Sequence, residues 1–368
     1  MKELENINYA SINLSNLRNN YNIIKKFTKP PACIICVVKA DAYGHGIGLC
    51  AAALYEDGAR HFAVATLAEA IKLRRLLHSD AEILIMGYTP VQYADTLTEH
   101  NIIQTIYSPE YAQMLNDHAS GPVRVHVKVN TGMNRLGYES AADLEPLRHL
   151  EYEGIYTHFA CSDEPDNDMT ARQYNKFTDF ITASGIDFNV KHAANSGAIL
   201  NFPETHLTAV RAGIILYGLR SDNQSPNITH YGFKPVMTLI STVSHIHTVK
   251  KGESIGYGAS FTAPRDMRII TVSIGYADGF IRAYNKGSVT VNGNLLPITG
   301  RICMDQFMAD ATDADTDIKI GDRVYLFGDD ALMKTEEYAA FASTISYETV
   351  CTVSKRVTRD ARNEDARF

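Results

Sequence analysis

Basic side chains follow several of the apolar runs in this sequence. Lys39 comes directly after the apolar run at 34–38, and Lys128 lies at the end of another. Arg135 follows in the same segment as Lys128, and His158 and Arg211 end two further runs. A lysine can form a Schiff base or act as a base, and arginines bind carboxylates and phosphates. Each residue alone is compatible with a surface or core role, so only their convergence on one rim would indicate an active site.

Two further residues predict a phosphate site near these basic groups. Ser196 begins a helical pattern after one apolar run, and Gly213 follows the next run. In parallel barrels, phosphate commonly binds in the loops after the seventh and eighth strands. A lysine close to a phosphate site suggests pyridoxal 5'-phosphate, which needs a lysine for its Schiff base and a cradle for its phosphate.

The elements that must position these residues alternate along the first two-thirds of the chain. Apolar, β-branched runs are separated by stretches with helical periodicity, such as residues 66–78. Runs that are apolar on both faces are typical of parallel strands covered by helices. The pattern predicts an α/β fold with a (β/α)8 TIM-type barrel rather than a doubly wound sheet. The eight runs are residues 34–39, 61–66, 82–87, 102–107, 123–129, 153–159, 188–193 and 207–212.

The last third of the chain predicts a different architecture, because helical periodicity nearly disappears. Asn292-Gly293 predicts a type I′ turn between two strands. We expect the barrel over residues 1–230 and a mostly-β C-terminal domain over residues 231–368. About the first ten residues are a candidate segment for packing against the β domain instead of the barrel. The strand-like segments are residues 236–249, 268–274, 288–298 and 322–328.

Charge and composition exclude several classes of function. The chain has 35 Lys and Arg against 42 Asp and Glu, a formal charge of −7, and no basic run that would suit a nucleic acid. No apolar stretch reaches the roughly 18 residues that would span a membrane, and no signal-peptide pattern is present. The six cysteines have no framework spacing, so we expect reduced thiols, no metal centre and a cytoplasmic location.

Eight segments, in order and in both predicted domains, resemble the alanine racemase family. The resemblance implies a pyridoxal-phosphate enzyme that interconverts L- and D-alanine and supplies D-alanine for peptidoglycan. It also implies a head-to-tail homodimer whose active sites are shared between subunits. The segments are VVKADAYGHG (37–46), KVNTGMNRLG (128–137), YTHFA (156–160), HAANS (192–196), VRAGIILYGL (210–219), IGYGASF (255–261), GYADG (275–279) and GRICMDQF (300–307).

The resemblance assigns cofactor-binding roles to residues of the barrel. By this resemblance, Lys39 carries the cofactor covalently, and Arg211 faces the pyridine nitrogen with His158 in the adjoining hydrogen-bond network. Arg135 matches the residue that contacts the phenolic oxygen of the cofactor and the carboxylate of the substrate. The phosphate-binding set that the family implies is Tyr43, Ser196, the backbone of Gly213 and Ile214, and Tyr347.

The same resemblance implies a two-base mechanism. Lys39 would serve one face of the substrate Cα, and Tyr257 from the other subunit would serve the opposite face. Met304 and Asp305 would also come from the other subunit and help to bind the substrate. Tyr276 matches a residue of the substrate entryway.

Lys128 matches a lysine that many family members carry as a carbamate, where it orients the residue equivalent to Arg135. Asn130 departs from the family, which usually has aspartate at this position. An amide preserves much of the hydrogen bonding but removes a negative charge beside Lys128. An unmodified Lys128 in an ordinary ion pair is therefore the alternative.

Three alternative functions stay open. The first is a serine racemase of the same family, although the bulky Tyr257 and Tyr347 favour the methyl side chain of alanine. The second is a decarboxylase of the same architecture, which would place a carboxylate where this chain has Arg211. The third is a non-catalytic pyridoxal-phosphate carrier, which would match the barrel alone and would have no use for Tyr257.

Overall fold

The computed structural model of the chain describes residues 7–221 and 228–362. Residues Arg18–Leu216 form one compact unit. A second unit combines the residues up to Leu17 with those from Tyr217 onward. Among the residues described, no helix is long and apolar enough to cross a membrane.

The first unit contains a closed barrel of eight parallel strands, which confirms the predicted (β/α)8 fold. Strand numbering begins with β1 (Tyr9–Asn13), which belongs to the second unit. Each of the eight predicted runs overlaps one barrel strand. These strands are β2 (Cys33–Val37), β3 (His61–Val64), β4 (Glu82–Ile85), β5 (Ile102–Ile106), β6 (Val123–Lys128), β7 (Leu150–Tyr156), β8 (Val190–His192) and β9 (Ala209–Ala212). β9 pairs with β2 and closes the barrel.

Helices occupy most connections between the strands. The link from β6 to β7 departs from this alternation, since it has no α-helix and contains only a 3-10 turn at Ala141–Asp143. Its first residues fold back on β6 instead, because the Tyr138 amide donates to the Lys128 carbonyl at 2.8 Å. The helical segments are α1 (Leu14–Phe27), α2 (Lys39–Tyr43, a single left-handed turn), α3 (Ile47–Glu56), α4 (Leu67–Leu76), α5 (Ala94–Glu99), α6 (Pro109–His118), α7 (Met169–Ser184) and α8 (Ser196–Asn201).

The barrel interior is partly polar. β5 is buried at all five positions, as expected for a parallel strand covered on both faces. Buried polar groups need hydrogen-bond partners. The polar side chains of the interior include Gln104, His126, Lys128, His192 and Arg211, all of them buried.

The second unit is mostly β, as predicted. Its elements are β10 (Met237–Val249), β11 (Ser254–Ile255), β12 (Phe261–Thr262), β13 (Met267–Val272), β14 (Ser288–Val291), β15 (Asn294–Thr299), β16 (Phe307–Asp310), β17 (Arg323–Phe327) and β18 (Thr358–Arg362), with α9 (Thr335–Phe341) and α10 (Ser346–Cys351). The main sheet has the order β13-β16-β15-β14-β17-β10-β1-β18. β1 pairs antiparallel with β10 and parallel with β18, so a segment from the start of the chain completes a sheet of C-terminal strands.

The predicted hairpin turn joins β14 to β15. Asn292 has φ 49° and Gly293 has φ 82°, so both central residues adopt the positive φ that a type I′ turn requires. The flanking residues Val291 and Asn294 pair directly across the hairpin.

Candidate active site

The segment that carries Lys39 forms a left-handed turn. After β2, all four residues from 40 to 43 have φ between 52° and 57°. This conformation costs L-residues about 1–2 kcal/mol each, so neighbouring contacts must hold it in place. Within the turn, the Gly44 amide donates to the Ala40 carbonyl at 2.9 Å.

The carboxylate of Glu69, in the first turn of α4, supports the Lys39 turn from outside. Its Oε1 accepts hydrogen bonds from the backbone N–H groups of Ala40 at 2.6 Å and Asp41 at 3.4 Å. Its Oε2 accepts from Ala65 at 2.9 Å and Thr66 at 3.3 Å. The backbone N–H groups at the start of a helical turn have no partners within that turn. The Glu69 carboxylate accepts from such groups at the start of the Lys39 turn and at the start of α4.

Tyr43, Ser196 and Gly213 form a small cradle. The Gly213 amide donates to Ser196 Oγ at 3.1 Å. A Cβ built on Gly213 would lie 3.0 Å from the hydroxyl of Tyr43 and 3.4 Å from Ser196 Oγ. Any larger residue would therefore crowd the two hydroxyls, whereas glycine keeps the space beside them open. Ile214 follows at the start of a buried 3-10 turn.

Arg211 of β9 is held by a full set of acceptors. Its Nη1 donates to His192 Nδ1 at 2.9 Å and to the His192 carbonyl at 3.0 Å. Its Nη2 donates to the carbonyls of Thr157 at 2.7 Å and Ala193 at 2.9 Å, and lies 3.2 Å from His158 Nδ1. Burial lowers the pKa of Arg211 to about 10, so the guanidinium stays charged at neutral pH.

Lys128, at the end of β6, is a buried amine among cations. It is 4% exposed, and its Nζ donates to the Val129 carbonyl at 2.7 Å. The Lys128 ammonium and the Arg211 guanidinium lie 5.6 Å and 5.2 Å from the centroid of the Tyr156 ring. Burial, followed by the charges of Arg211 and Arg135, lowers the pKa of Lys128 to about 7. A large fraction of this amine is therefore neutral at physiological pH.

Asn130 organises the loop that carries the exposed Arg135. Its Oδ1 accepts from the amides of Gly132 at 3.2 Å and Asn134 at 3.0 Å. Its Nδ2 donates to Glu139 and to Asn134 Oδ1. An aspartate could accept the first pair of hydrogen bonds but could not donate the second, so Asn130 is well matched to this loop.

The environment of His158 shows that the basic residues gather on one side of the barrel. The pKa of His158 lies well below its ordinary value because of burial and then the nearby charges of Arg211, Arg135, Lys128 and Lys39. The imidazole is accordingly neutral. The structure thus provides the convergence that the sequence analysis required for a site at this rim.

The second unit contains the other predicted site residues. Tyr257 is 70% exposed and Met304 is 53% exposed, and both line one surface depression with Asp305. The Tyr276 amide donates to the Cys303 carbonyl at 3.1 Å, which joins its segment to the one that carries Met304. The remaining candidate, Tyr347 on α10, also belongs to this unit and is partly buried.

Two residues of the barrel site were missed in the sequence analysis. His192 precedes Ala193 in a predicted strand, where a histidine resembles a core residue. Glu69 is the last residue of the capping-box pattern Thr66–Glu69. That pattern predicts the contact between Glu69 and the start of α4, but it does not predict the contact between Glu69 and Ala40.

Comparison with known proteins gives a consistent result across the chain. The family of alanine racemase N-terminal domains matches residues 12–221, and that of alanine racemase C-terminal domains matches residues 236–361. Alanine racemase 1 of Clostridium acetobutylicum is 40% identical, covering 95% of this chain and 94% of that protein. A solved alanine racemase of Clostridium difficile 630 has a TM-score of 0.92 at 38% identity, covering 98% of this chain and 97% of that one. A cycloserine complex from the same organism has a TM-score of 0.87 at 38% identity, with coverages of 96% and 95%.

Replacing Glu69 should loosen the Lys39 turn. In Glu69→Gln, the side-chain NH2 would face two backbone donors that now bond a carboxylate oxygen. We expect amide hydrogen exchange of the peptide containing Ala40 and Asp41, or of the one containing Ala65 and Thr66, to accelerate by about tenfold or more. Glu99→Gln, at an exposed position of α5, is the control and should leave both peptides unchanged. Equal exchange in the two variants would contradict the role assigned to Glu69.

Proposed function

The chain belongs to the alanine racemase family and interconverts L- and D-alanine, and we propose that it does so with two bases, Lys39 and Tyr257. The observation that supports this most strongly is the gathering of Lys39, Arg211 and the Gly213 cradle at one rim of the barrel. We further propose that its D-alanine supplies peptidoglycan synthesis, as is typical of the family.

The residues of the barrel fit pyridoxal phosphate. The cradle places the Gly213 amide beside the hydroxyls of Ser196 and Tyr43, which are groups that can donate to a phosphate. Pyridoxal phosphate, when bound, supplies an electron-withdrawing ring that acidifies the substrate Cα–H. Arg211 would donate to its ring nitrogen and, as a group that keeps its protons, would leave that nitrogen unprotonated. The residues proposed to hold the cofactor are Lys39, Tyr43, Arg135, His158, Ser196, Arg211, Gly213, Ile214 and Tyr347.

Racemisation requires proton removal from one face of Cα and proton return on the other. A single base on one face is poorly placed to do both, so two bases on opposite faces are needed. Lys39 Nζ would serve one face and Tyr257 Oη the other. The phenol has an ordinary pKa of about 10, so a nearby cation must favour its ionised form. Arg211, acting through His158, is our candidate for that cation.

We propose that the active enzyme is a homodimer in which Tyr257 comes from the partner subunit. Tyr257, Met304 and Tyr276 are large apolar residues that this chain leaves exposed, and such clusters are typical of protein interfaces. Within the shared site, the Met304 backbone N–H and Arg135 would bind the substrate carboxylate, and Asp305 would be a further substrate-binding residue beside Met304.

The size of the substrate is proposed to be limited by two tyrosines. Tyr257 and Tyr347 would crowd any side chain larger than the methyl group of alanine. A pocket of this kind discriminates against one added hydroxyl by only about a hundredfold, so slow turnover of L-serine is expected.

The function is tested by measuring D-alanine formation from L-alanine with the cofactor-loaded protein. Tyr257→Phe should lower the rate by about 10²–10⁴-fold, because the phenol can no longer exchange a proton with Cα. Tyr231→Phe, at another exposed tyrosine of the second unit, should keep the wild-type rate.

The same assay with L-serine and L-lysine distinguishes the alternatives. Serine turnover above alanine turnover would contradict the proposed pocket. Absence of racemisation with every amino acid, despite bound cofactor, would favour the decarboxylase or carrier. A wild-type rate in Tyr257→Phe would contradict the two-base mechanism alone.

We propose that Lys128 is carbamylated. A neutral amine adds CO2 and releases one proton, which turns a buried cation beside Arg211 and Arg135 into an anion that pairs with them. The low pKa of Lys128, about 7, supplies the neutral amine that this addition needs.

Carbon-13 NMR of protein equilibrated with ¹³CO2 tests the modification. We expect a carbamate carbonyl signal that is absent from Lys128→Ala and retained in the exposed control Lys250→Ala. Because the neutral amine increases as the pH rises through about 7, the signal should be stronger at pH 8 than at pH 6. A signal unchanged in Lys128→Ala, or none in the wild type, would contradict the proposal.

A further inference from the structure

The barrel interior has a second polar region, at the end of the strands opposite to Lys39. A cavity of about 220 Å³ lies there, lined largely by residues at the N-terminal ends of the strands. Arg124 lines it and forms ion pairs with Glu82 at 2.6 Å and Glu153 at 2.6 Å. The two carboxylates already share a counter-ion, and apolar side chains such as Leu84 form part of the wall.

His126 of β6 also lines this cavity. The residue is 3% exposed, and its Nε2 has no hydrogen-bond partner among the residues that the structure describes. Gly154 of β7 provides the room for the ring, because a Cβ at that position would lie 2.5 Å from Nε2. An unsatisfied polar nitrogen at this depth is costly, so it calls for a specific partner.

The other nitrogen of His126 leads toward the active site. His126 Nδ1 lies 3.0 Å from His192 Nε2, and His192 Nδ1 lies 2.9 Å from Arg211 Nη1. The Tyr156 ring stacks on His192 with 4.7 Å between centroids and 10° between planes, which fixes the plane of the imidazole. Three side chains therefore form one hydrogen-bonded row from the cavity to Arg211.

Only one arrangement of protons satisfies this row when both rings are neutral. Arg211 can only donate, so His192 Nδ1 must accept and the proton of His192 lies on Nε2. That N–H donates to His126 Nδ1, which places the proton of His126 on Nε2.

Both imidazoles are indeed neutral. Burial, with the nearby charge of Arg124, lowers the pKa of His126 to about 3. Burial and the charge of Arg211 hold the pKa of His192 well below its ordinary value. The unsatisfied Nε2 of His126 is therefore an N–H donor at the cavity.

We propose that His126 is a positioning residue that acts through His192 on Arg211, and that the cavity binds water as a neutral acceptor for the His126 Nε2–H. The carboxylates of Glu82 and Glu153 outnumber the single cation of Arg124, which disfavours an anion, and the His126 Nε2–H donor disfavours a cation. A small neutral acceptor satisfies both constraints.

The row stabilises one orientation of the Arg211 donors. Without an acceptor at position 126, His192 can adopt its other tautomer, which would direct an N–H at the Arg211 guanidinium. Two facing donors repel each other, so Arg211 would shift from its place. The consequence for catalysis rests on the proposed role of Arg211 at the cofactor, whereas the proton arrangement does not.

Nitrogen-15 NMR of the histidine-labelled holoenzyme tests the arrangement in the wild type. We expect His126 and His192 both as neutral Nε2–H tautomers at pH 7, and a cross-peak between the His126 Nε2–H proton and water. An Nδ1–H tautomer or an imidazolium at either residue would overturn the row, and absence of the water cross-peak would overturn the cavity assignment. These readings need no turnover, so they are independent of the racemase mechanism.

Two variants then separate the relay from the cavity donor. In His126→Asn, Oδ1 replaces the acceptor at Nδ1 while the Nε2–H is lost, and in His126→Leu both are lost. Rates are normalised to bound cofactor. His126→Asn should keep His192 as the Nε2–H tautomer and keep kcat within about threefold of the wild-type value. His126→Leu should give a mixture of His192 tautomers and a kcat about tenfold lower at similar KM. An unchanged His192 signal in His126→Leu, or equal damage in His126→Asn, would overturn the proposal.

Discussion

The buried guanidinium of Arg211 is the group on which the polar interior of the barrel depends. It donates to three backbone carbonyls and faces the Nδ1 atoms of His192 and His158. Because an arginine can only donate, His192 must accept at Nδ1 and carry its proton on Nε2. Its charge also helps to lower the pKa of Lys128 to about 7. One cation thereby determines the tautomer of His192 and adds to the effect of burial on the pKa of Lys128.

A second constraint acts on the backbone beside Lys39. Four consecutive residues in the left-handed region store free energy next to Lys39, the residue proposed to carry the cofactor. The carboxylate of Glu69 offsets part of that cost by accepting the exposed N–H groups of Ala40 and Asp41. The position of the Lys39 side chain therefore depends on the helix of the following strand–helix unit, as well as on its own strand.

The sequence predicted those features that local patterns control. Runs apolar on both faces located all eight barrel strands, and Asn292-Gly293 located a hairpin turn. Features decided by distant contacts were missed. Residues 40–42 contain no glycine and locally favour a right-handed helix, and their actual conformation is supported by Glu69. His126 was missed because a buried histidine in a strand is indistinguishable from a core residue until its partners are known.

Deuterium exchange at alanine Cα in D2O tests the two-base mechanism most directly. Wild-type protein should introduce deuterium into both enantiomers as it interconverts them. In Tyr257→Phe, Lys39 still faces one side of Cα, so one enantiomer should continue to gain deuterium with retention of configuration while exchange of the other enantiomer and interconversion both fall. Equal loss of exchange from the two enantiomers, or interconversion at the wild-type rate, would contradict the assignment of Lys39 and Tyr257 to opposite faces.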